Sequence, residues 1–257
     1  MKKLAWILLA LGLIAVLIVL TAPARLFTDR IVERNPQLTL AGVSGSWWNG
    51  EVADLRVNGR PLGKLNWQLQ PASLLSGMPA TDVAISGGGI ELTGVLLRGT
   101  DHAVLRDVKG HVDARWLQPA VGIPLLSFTG RVAVDLREFR GGRSGLPQSL
   151  DLTLTWADAG VTGLAAARLG SITVLARGAD GRFDGRIHSQ PEDPLSVDGG
   201  FQLADRRYRA EVRLRPRDPA DPVAQALQWV GQPDGQGGRL LIVEGELLLP
   251  PAEVPPS

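Results

Sequence analysis

His102, His111 and His188 are the side chains best suited to proton transfer or metal ligation, and the chain has no other histidine. None stands in an H-x-x-x-H pair or an H-E-x-x-H motif, the spacings that put two imidazoles on one metal ion. They read as solvated strand or loop residues. Gly42-Val43-Ser44-Gly45 offers a serine between glycines. It lacks the glycine spacing of a G-x-S-x-G nucleophile elbow and is not flanked by strand and then helix, so a turn or bulge is expected. Gly87-Gly88-Gly89 runs into strand-like Ile90-Glu91-Leu92 rather than a helix, which is not how a phosphate cradle is built. Asp101, Asp107 and Asp113 are too loosely spaced for an EF-hand loop. With no cysteine there is no thiol nucleophile, disulfide framework or Cys-based zinc site. The expectation is a non-enzyme with no cofactor, no metal and no small-molecule substrate.

A different chemistry, that of contact surfaces, stands out between Gly42 and Gly77. Trp47, Trp48 and Trp67 cluster there in a chain with a single tyrosine. Gly45, Gly50, Gly63 and Pro71 punctuate the same stretch, and Leu74-Leu75 close it. Asn49-Gly50 and Asn58-Gly59 both carry a turn signature. If Trp47 and Trp48 lie on a strand they face opposite sides, so one packs inward. The other is then covered by another layer or left for a partner or lipid.

The elements that must position these residues are strands. Leu65, Trp67 and Leu69 alternate with Lys64, Asn66 and Gln68, and Val112, Ala114 and Trp116 alternate with His111, Asp113 and Arg115. The same period of two recurs at Val132, Val134 and Leu136, at Leu150, Leu152, Leu154 and Trp156, and at Tyr208, Ala210, Val212 and Leu214. Arg207, Arg209, Glu211, Arg213 and Arg215 form a wet opposite face for the last set, the pattern of antiparallel sheets with one solvated side. Glycine steps at Gly87 to Gly89, Gly141-Gly142 and Gly199-Gly200 are expected as turns of a meander. One helix is expected late in the chain, with Asp221 as N-cap, Pro222 first, and Val223, Ala226, Leu227 and Val230 on one face. Gly231 and Pro233 stop it. An internal echo links Trp67-Gln68-Leu69-Gln70-Pro71-Ala72 to Trp116-Leu117-Gln118-Pro119-Ala120, which suggests a duplicated unit.

Location is encoded at the start. Lys2 and Lys3 precede an unbroken apolar run from Leu4 through Trp6 to Leu20. Such a run, at about 1.5 Å per residue, nearly covers a hydrocarbon core of about 30 Å. The basic pair keeps the N-terminus cytoplasmic, so the body lies on the far side of a bacterial inner membrane, in the periplasm. Cleavage after Ala22-Pro23-Ala24 is the alternative, opposed by the length of the run and by Pro23. The layout is a cytoplasmic start and transmembrane anchor at residues 1–24, a periplasmic β-rich domain at 25–249 and a Pro-rich tail at 250–257. The fold class is mainly β: one transmembrane helix, an antiparallel body formed as a curved sheet or sandwich, and one short late helix. Without Lys2 and Lys3 the chain holds 25 basic against 26 acidic side chains, so no electrostatic case for nucleic acid exists.

At Gly42, Val43, Gly45, Trp48 and Gly50 the sequence resembles protein N of the bacterial type II secretion system, and the resemblance continues through Leu62, Gly63, Leu65, Trp67, Leu69 and Pro71 to Leu74-Leu75. It implies an accessory inner-membrane component of the machine that moves folded exoproteins from the periplasm through the outer membrane. Its implied partners are inner-membrane components of that apparatus, and it implies no catalytic residue. The tethered, glycine-bounded sheet is also similar to the AsmA-like group, which implies a second reading as a lipid-binding or lipid-transfer protein. Membrane lipid is therefore a second expected partner.

Overall fold

A computed structural model describes residues 24, 28, 32, 37–99, 102–118, 126–142, 147–163, 166–204 and 207–246. The apolar run with Leu4, Trp6 and Leu20, and the Pro-rich tail, lie outside the described residues. Among the described residues no helix is long and apolar enough to cross a membrane. The protein is mainly β, and two compact units divide between Val95 and Leu96.

In the first unit β1 (Leu38–Gly45), β2 (Asn49–Val57), β3 (Arg60–Leu69), β4 (Ala80–Gly87) and the start of β5 (Ile90–Arg98) follow one another as hydrogen-bonded neighbours. The period-two reading of β3 holds: Lys64, Asn66 and Gln68 are exposed, Leu65 and Trp67 are half-buried and Leu69 is buried. Asn58-Gly59 makes the β2–β3 reversal with both residues at positive φ, 52° and 75°, as a tight hairpin turn requires. The Gly42 to Gly45 stretch is not a turn but the end of β1, kinked where Gly42 takes a φ of 68°.

The second unit holds β6 (His102–Asp113), β7 (Leu126–Gly142), β8 (Pro147–Gly163), β9 (Ala167–Ala179) and β10 (Arg182–Ser189), then β11 (Leu195–Ala204) and β12 (Arg207–Pro216). These pair antiparallel in chain order. β14 (Arg239–Glu246) pairs β12, and the two-residue β13 (Gln232–Pro233) lies outermost. The register aligns apolar residues into rows: Val134, Leu154, Val174 and Ile187 form one, and Leu136, Leu152 and Ala176 the next. The opposite face carries directly paired charges, Arg106 with Glu138, Asp151 with Arg177 and Arg209 with Glu244. Each such exposed pair contributes about 0.2–1 kcal/mol.

The predicted late helix exists but is shorter than its pattern. α1 (Pro222–Ala226) is capped by Asp221, whose Oδ1 accepts the Val223 N–H at 2.8 Å. Val223, Ala226 and Leu227 are buried against Ala159, Leu195 and Val212. A 3₁₀ turn over Leu227–Trp229 ends it, and Val230 is already extended. Arg239 Nε donates to Val230 O at 2.7 Å, and its Nη2 donates to Gln228 O at 2.9 Å, tying off carbonyls that the stopped helix leaves open.

Two other expectations are corrected. Gly199-Gly200 is not a turn but the middle of β11. A Cβ on Gly199 would stand 2.7 Å from Val212 Cα, so the pair serves a close strand approach. The alternation from Val112 to Trp116 breaks at Asp113, where β6 ends and Ala114–Leu117 coil into a 3₁₀ turn. Trp116 therefore sits in a 3₁₀ turn while Trp67 sits in a strand, although each half of the echo is a strand followed by a 3₁₀ turn.

Candidate interaction surface

Trp47, Trp48 and Trp67 meet at one end of the β2–β3 hairpin. Asn49-Gly50 does not form the expected turn; it opens β2, opposite Gln68 and Trp67. The reversal lies one step earlier, at Ser46-Trp47-Trp48, where the Ser46 N–H donates to Asn49 O at 2.9 Å. The two tryptophans therefore leave the pleated pattern that would send them to opposite faces. Their rings lie side by side instead, centroids 4.1 Å apart and planes 38° apart, both half-buried.

Trp67 closes this corner from the next strand. Its Nε1 donates to Trp47 O at 3.2 Å, and its ring packs against Gly50. A Cβ on Gly50 would collide with Trp67 Cζ2 and stand 2.8 Å from both Trp67 Cη2 and Ser44 O, so only glycine leaves room for the ring. The Leu69 N–H then donates to Trp48 O at 2.6 Å, fastening the reversal to the end of β3. Gly45, with a φ of 86°, packs its Cα position against Gly50. Trp48 Nε1 is buried with no hydrogen-bond partner.

Just beyond Leu69, Pro71 starts a 3₁₀ turn over Pro71–Ser76 that ends at Gly77 with a φ of 74°. The Ser73 hydroxyl donates to Gln70 O at 2.6 Å and accepts the Ala80 N–H at 2.8 Å. Held this way, Leu74 and Leu75 point outward, 40% and 93% exposed. Gly42 and Gly63 lie further along the strands, Gly42 against Ala53 and Gly63 against Gly87. The motif residues thus divide into a tryptophan corner, an adjoining leucine turn and two glycines at close strand contacts.

Some contacts were outside the reach of sequence reasoning. The Ala24 N–H donates to Gly45 O at 3.2 Å, and Ala24 is 1% exposed. In the second unit, β13 pairs only with Arg239 and Leu240 of β14, so the outer side of β14 from Leu241 to Glu246 meets no strand among the described residues. Ile242 and Val243 on that edge are 46% and 42% exposed. An apolar run at the end of a sequence carries no signal that separates such an edge from core.

Among the described residues no three His, Asp or Glu side chains converge as a metal site needs. His188 departs from the solvated reading: it is half-buried in β10, with Nδ1 shielded and unpartnered. Glu138 is held below the usual carboxylate range, first by the Ser149 hydroxyl and then by Arg106 and Arg140, against an opposing burial effect. That arrangement is a cross-strand ion pair rather than a reactive acid.

A family model described as type II secretion system (T2SS), protein N, matches residues 36–241. The chain is 28% identical over 232 residues to type II secretion system protein N of Vibrio cholerae, covering 82% of this chain and 85% of that protein. It is 29% identical over 248 residues to the protein of the same name from Aeromonas hydrophila, covering 93% and 97% respectively. No solved structure matches the chain. Matched from before β1 into β14, the chain belongs to the type II secretion system protein N family.

Proposed function

We infer that this protein is an accessory inner-membrane component of the type II secretion system, a tethered periplasmic scaffold that assists export of folded exoproteins across the outer membrane. The Leu4–Leu20 run supplies the tether and the sheet supplies the contact. The carrying observation is the edge of β14 from Leu241 to Glu246, which meets no strand among the described residues and exposes Ile242 and Val243. Such an edge recruits a strand from a partner, with main-chain hydrogen bonds giving affinity and side chains giving choice. The partner is another inner-membrane component of the apparatus. No enzymatic step is assigned to the scaffold, whose cross-strand charges Arg106 with Glu138, Asp151 with Arg177 and Arg209 with Glu244 are paired. Affinity capture of the full chain from secretion-competent cells tests this. Secretion components should co-purify with the wild type and be lost from a chain lacking Met1 to Ala24 or carrying Ile242→Pro; equal capture by all three overturns it.

A second reading is favoured by the aligned apolar rows of β7, β8 and β9. Val134, Leu136, Leu152, Leu154 and Val174 share one face and remain only half-buried, while α1 packs against β9 and β12. This face suits a lipid acyl chain, in line with the AsmA-like alternative. Native mass spectrometry in mild detergent separates the two. Stoichiometric phospholipid supports lipid binding, and a lipid-free chain in a stable complex with secretion components supports the scaffold.

A further inference from the structure

We propose that the Pro71–Ser76 turn and the neighbouring Trp47–Trp48 pair form a membrane-interface contact, with Leu74 and Leu75 seated at the boundary between lipid headgroups and acyl chains. It rests on the anchored reading above and adds which part of the body touches the bilayer.

The geometry follows from chain length and two backbone hydrogen bonds. Four residues beyond Leu20 the chain reaches Ala24, a reach of at most about 14 Å. Ala24 is fixed there: its N–H is bonded to Gly45 O at 3.2 Å and its side chain is buried. Three residues after Gly45 comes Trp48, whose carbonyl holds the Leu69 N–H at 2.6 Å, two residues before Pro71. A run that ends in the membrane at Leu20 therefore brings this end of the β2–β3 hairpin to the bilayer surface.

What stands at that end suits lipid. Leu75 is 93% exposed on a turn that Ser73 pins by bridging Gln70 and Ala80. No charged residue occurs from Gln70 to Ala80, nor from Ser46 to Gly50. The opposite tip of the hairpin carries Arg56 and Arg60 around Asn58-Gly59. Paired tryptophans beside exposed leucines match the composition of membrane interfaces, where aromatic rings sit at headgroup level and apolar side chains reach below them. Single exposed leucines are common on protein surfaces. This one stands on a turn pinned by Ser73, with the nearest carboxylate, Asp82, engaged by the Gln70 side chain at 2.8 Å, and it is tied to the end of an apolar run.

The absence of native cysteine makes the test clean. The full chain carrying Leu75→Cys or Arg60→Cys is labelled with an environment-sensitive dye and reconstituted in phosphatidylethanolamine–phosphatidylglycerol vesicles containing spin-labelled lipid. Arg60 lies eight residues along β3 from Gln68, about 26 Å away. Several-fold stronger quenching and a blue-shifted emission at position 75 relative to position 60 are expected. Equal quenching at both positions, in chains that resist carbonate extraction, overturns the contact alone. Release of the chain by carbonate overturns the anchor and the contact together.

Discussion

Gly50→Ala is the substitution whose consequence the structure defines best. Gly50 lies in β2 outside the left-handed region, so alanine meets no backbone penalty there. Lower entropy of the unfolded chain even favours it by about 0.4–1 kcal/mol. Against this stands the ring of Trp67: the new methyl collides with Cζ2 and lies 2.8 Å from Cη2 and Ser44 O. Overpacking of this kind costs about 1–3 kcal/mol. If the ring swings away it also gives up the Nε1 bond to Trp47 O, worth about 1 kcal/mol net. The balance is a loss of about 2 kcal/mol, or a fall in Tm of about 4–8 °C for a chain of this size. Thermal unfolding of the full chain in mild detergent, followed by circular dichroism, reads it. Trp67→Leu removes the obstructing ring, so adding Gly50→Ala to that background should cost less than about 1 kcal/mol, a coupling of about 1–2 kcal/mol. A Tm within about 1 °C of wild type, or the same cost in both backgrounds, refutes the packing described for this corner.

Three further outcomes are expected. Ser73→Ala leaves the buried Ala80 N–H without its acceptor, which should cost about 1–3 kcal/mol in urea denaturation and speed amide exchange at Ala80. Asp234 accepts the N–H groups of Gln236 and Gly238 and lies 3.5 Å from Arg215, which together hold its carboxyl below the ordinary range. A depressed carboxylate stabilises the fold above the unfolded pKa and loses that contribution as pH falls through the folded one. The stability gap between wild type and Asp234→Asn should therefore be constant from neutral pH to about 5 and close below about pH 4, as pH-resolved melting will show. Ser149→Ala removes the largest influence holding Glu138 down, so a carbon-detected NMR titration should find that carboxyl moved up toward the usual range.

Local chemistry was legible in the sequence, and tertiary approach was not. The alternation of Leu65, Trp67 and Leu69 identified a strand because neighbouring residues alone determine which face each side chain takes. Asp221-Pro222 announced α1 for the same reason, since a cap and a fixed φ act within one turn. Opposite faces for Trp47 and Trp48 require a strand, and the chain instead reverses at them, one step before the Asn49-Gly50 pair that carries the turn signature. Gly199-Gly200 was taken for a turn because a glycine required by a neighbouring strand looks the same in sequence as one required by a bend. Leu75 reads as core by type, yet it is 93% exposed on a turn shaped by Pro71, the Ser73 bridge to Ala80 and left-handed Gly77. The motif from Gly42 to Leu75 is legible in the sequence, but the bond that joins Gly45 to Ala24 depends on residues far apart in the chain.

The proposed role reduces to whether the β14 edge touches the secretion apparatus while the chain is tethered. Photo-crosslinking from a reactive amino acid at Ile242, in living secretion-competent cells, measures this directly. The predicted result is an adduct with an inner-membrane component of the type II secretion system that disappears when Met1 to Ala24 are removed. No such adduct, or an adduct undiminished by that removal, contradicts the tethered scaffold.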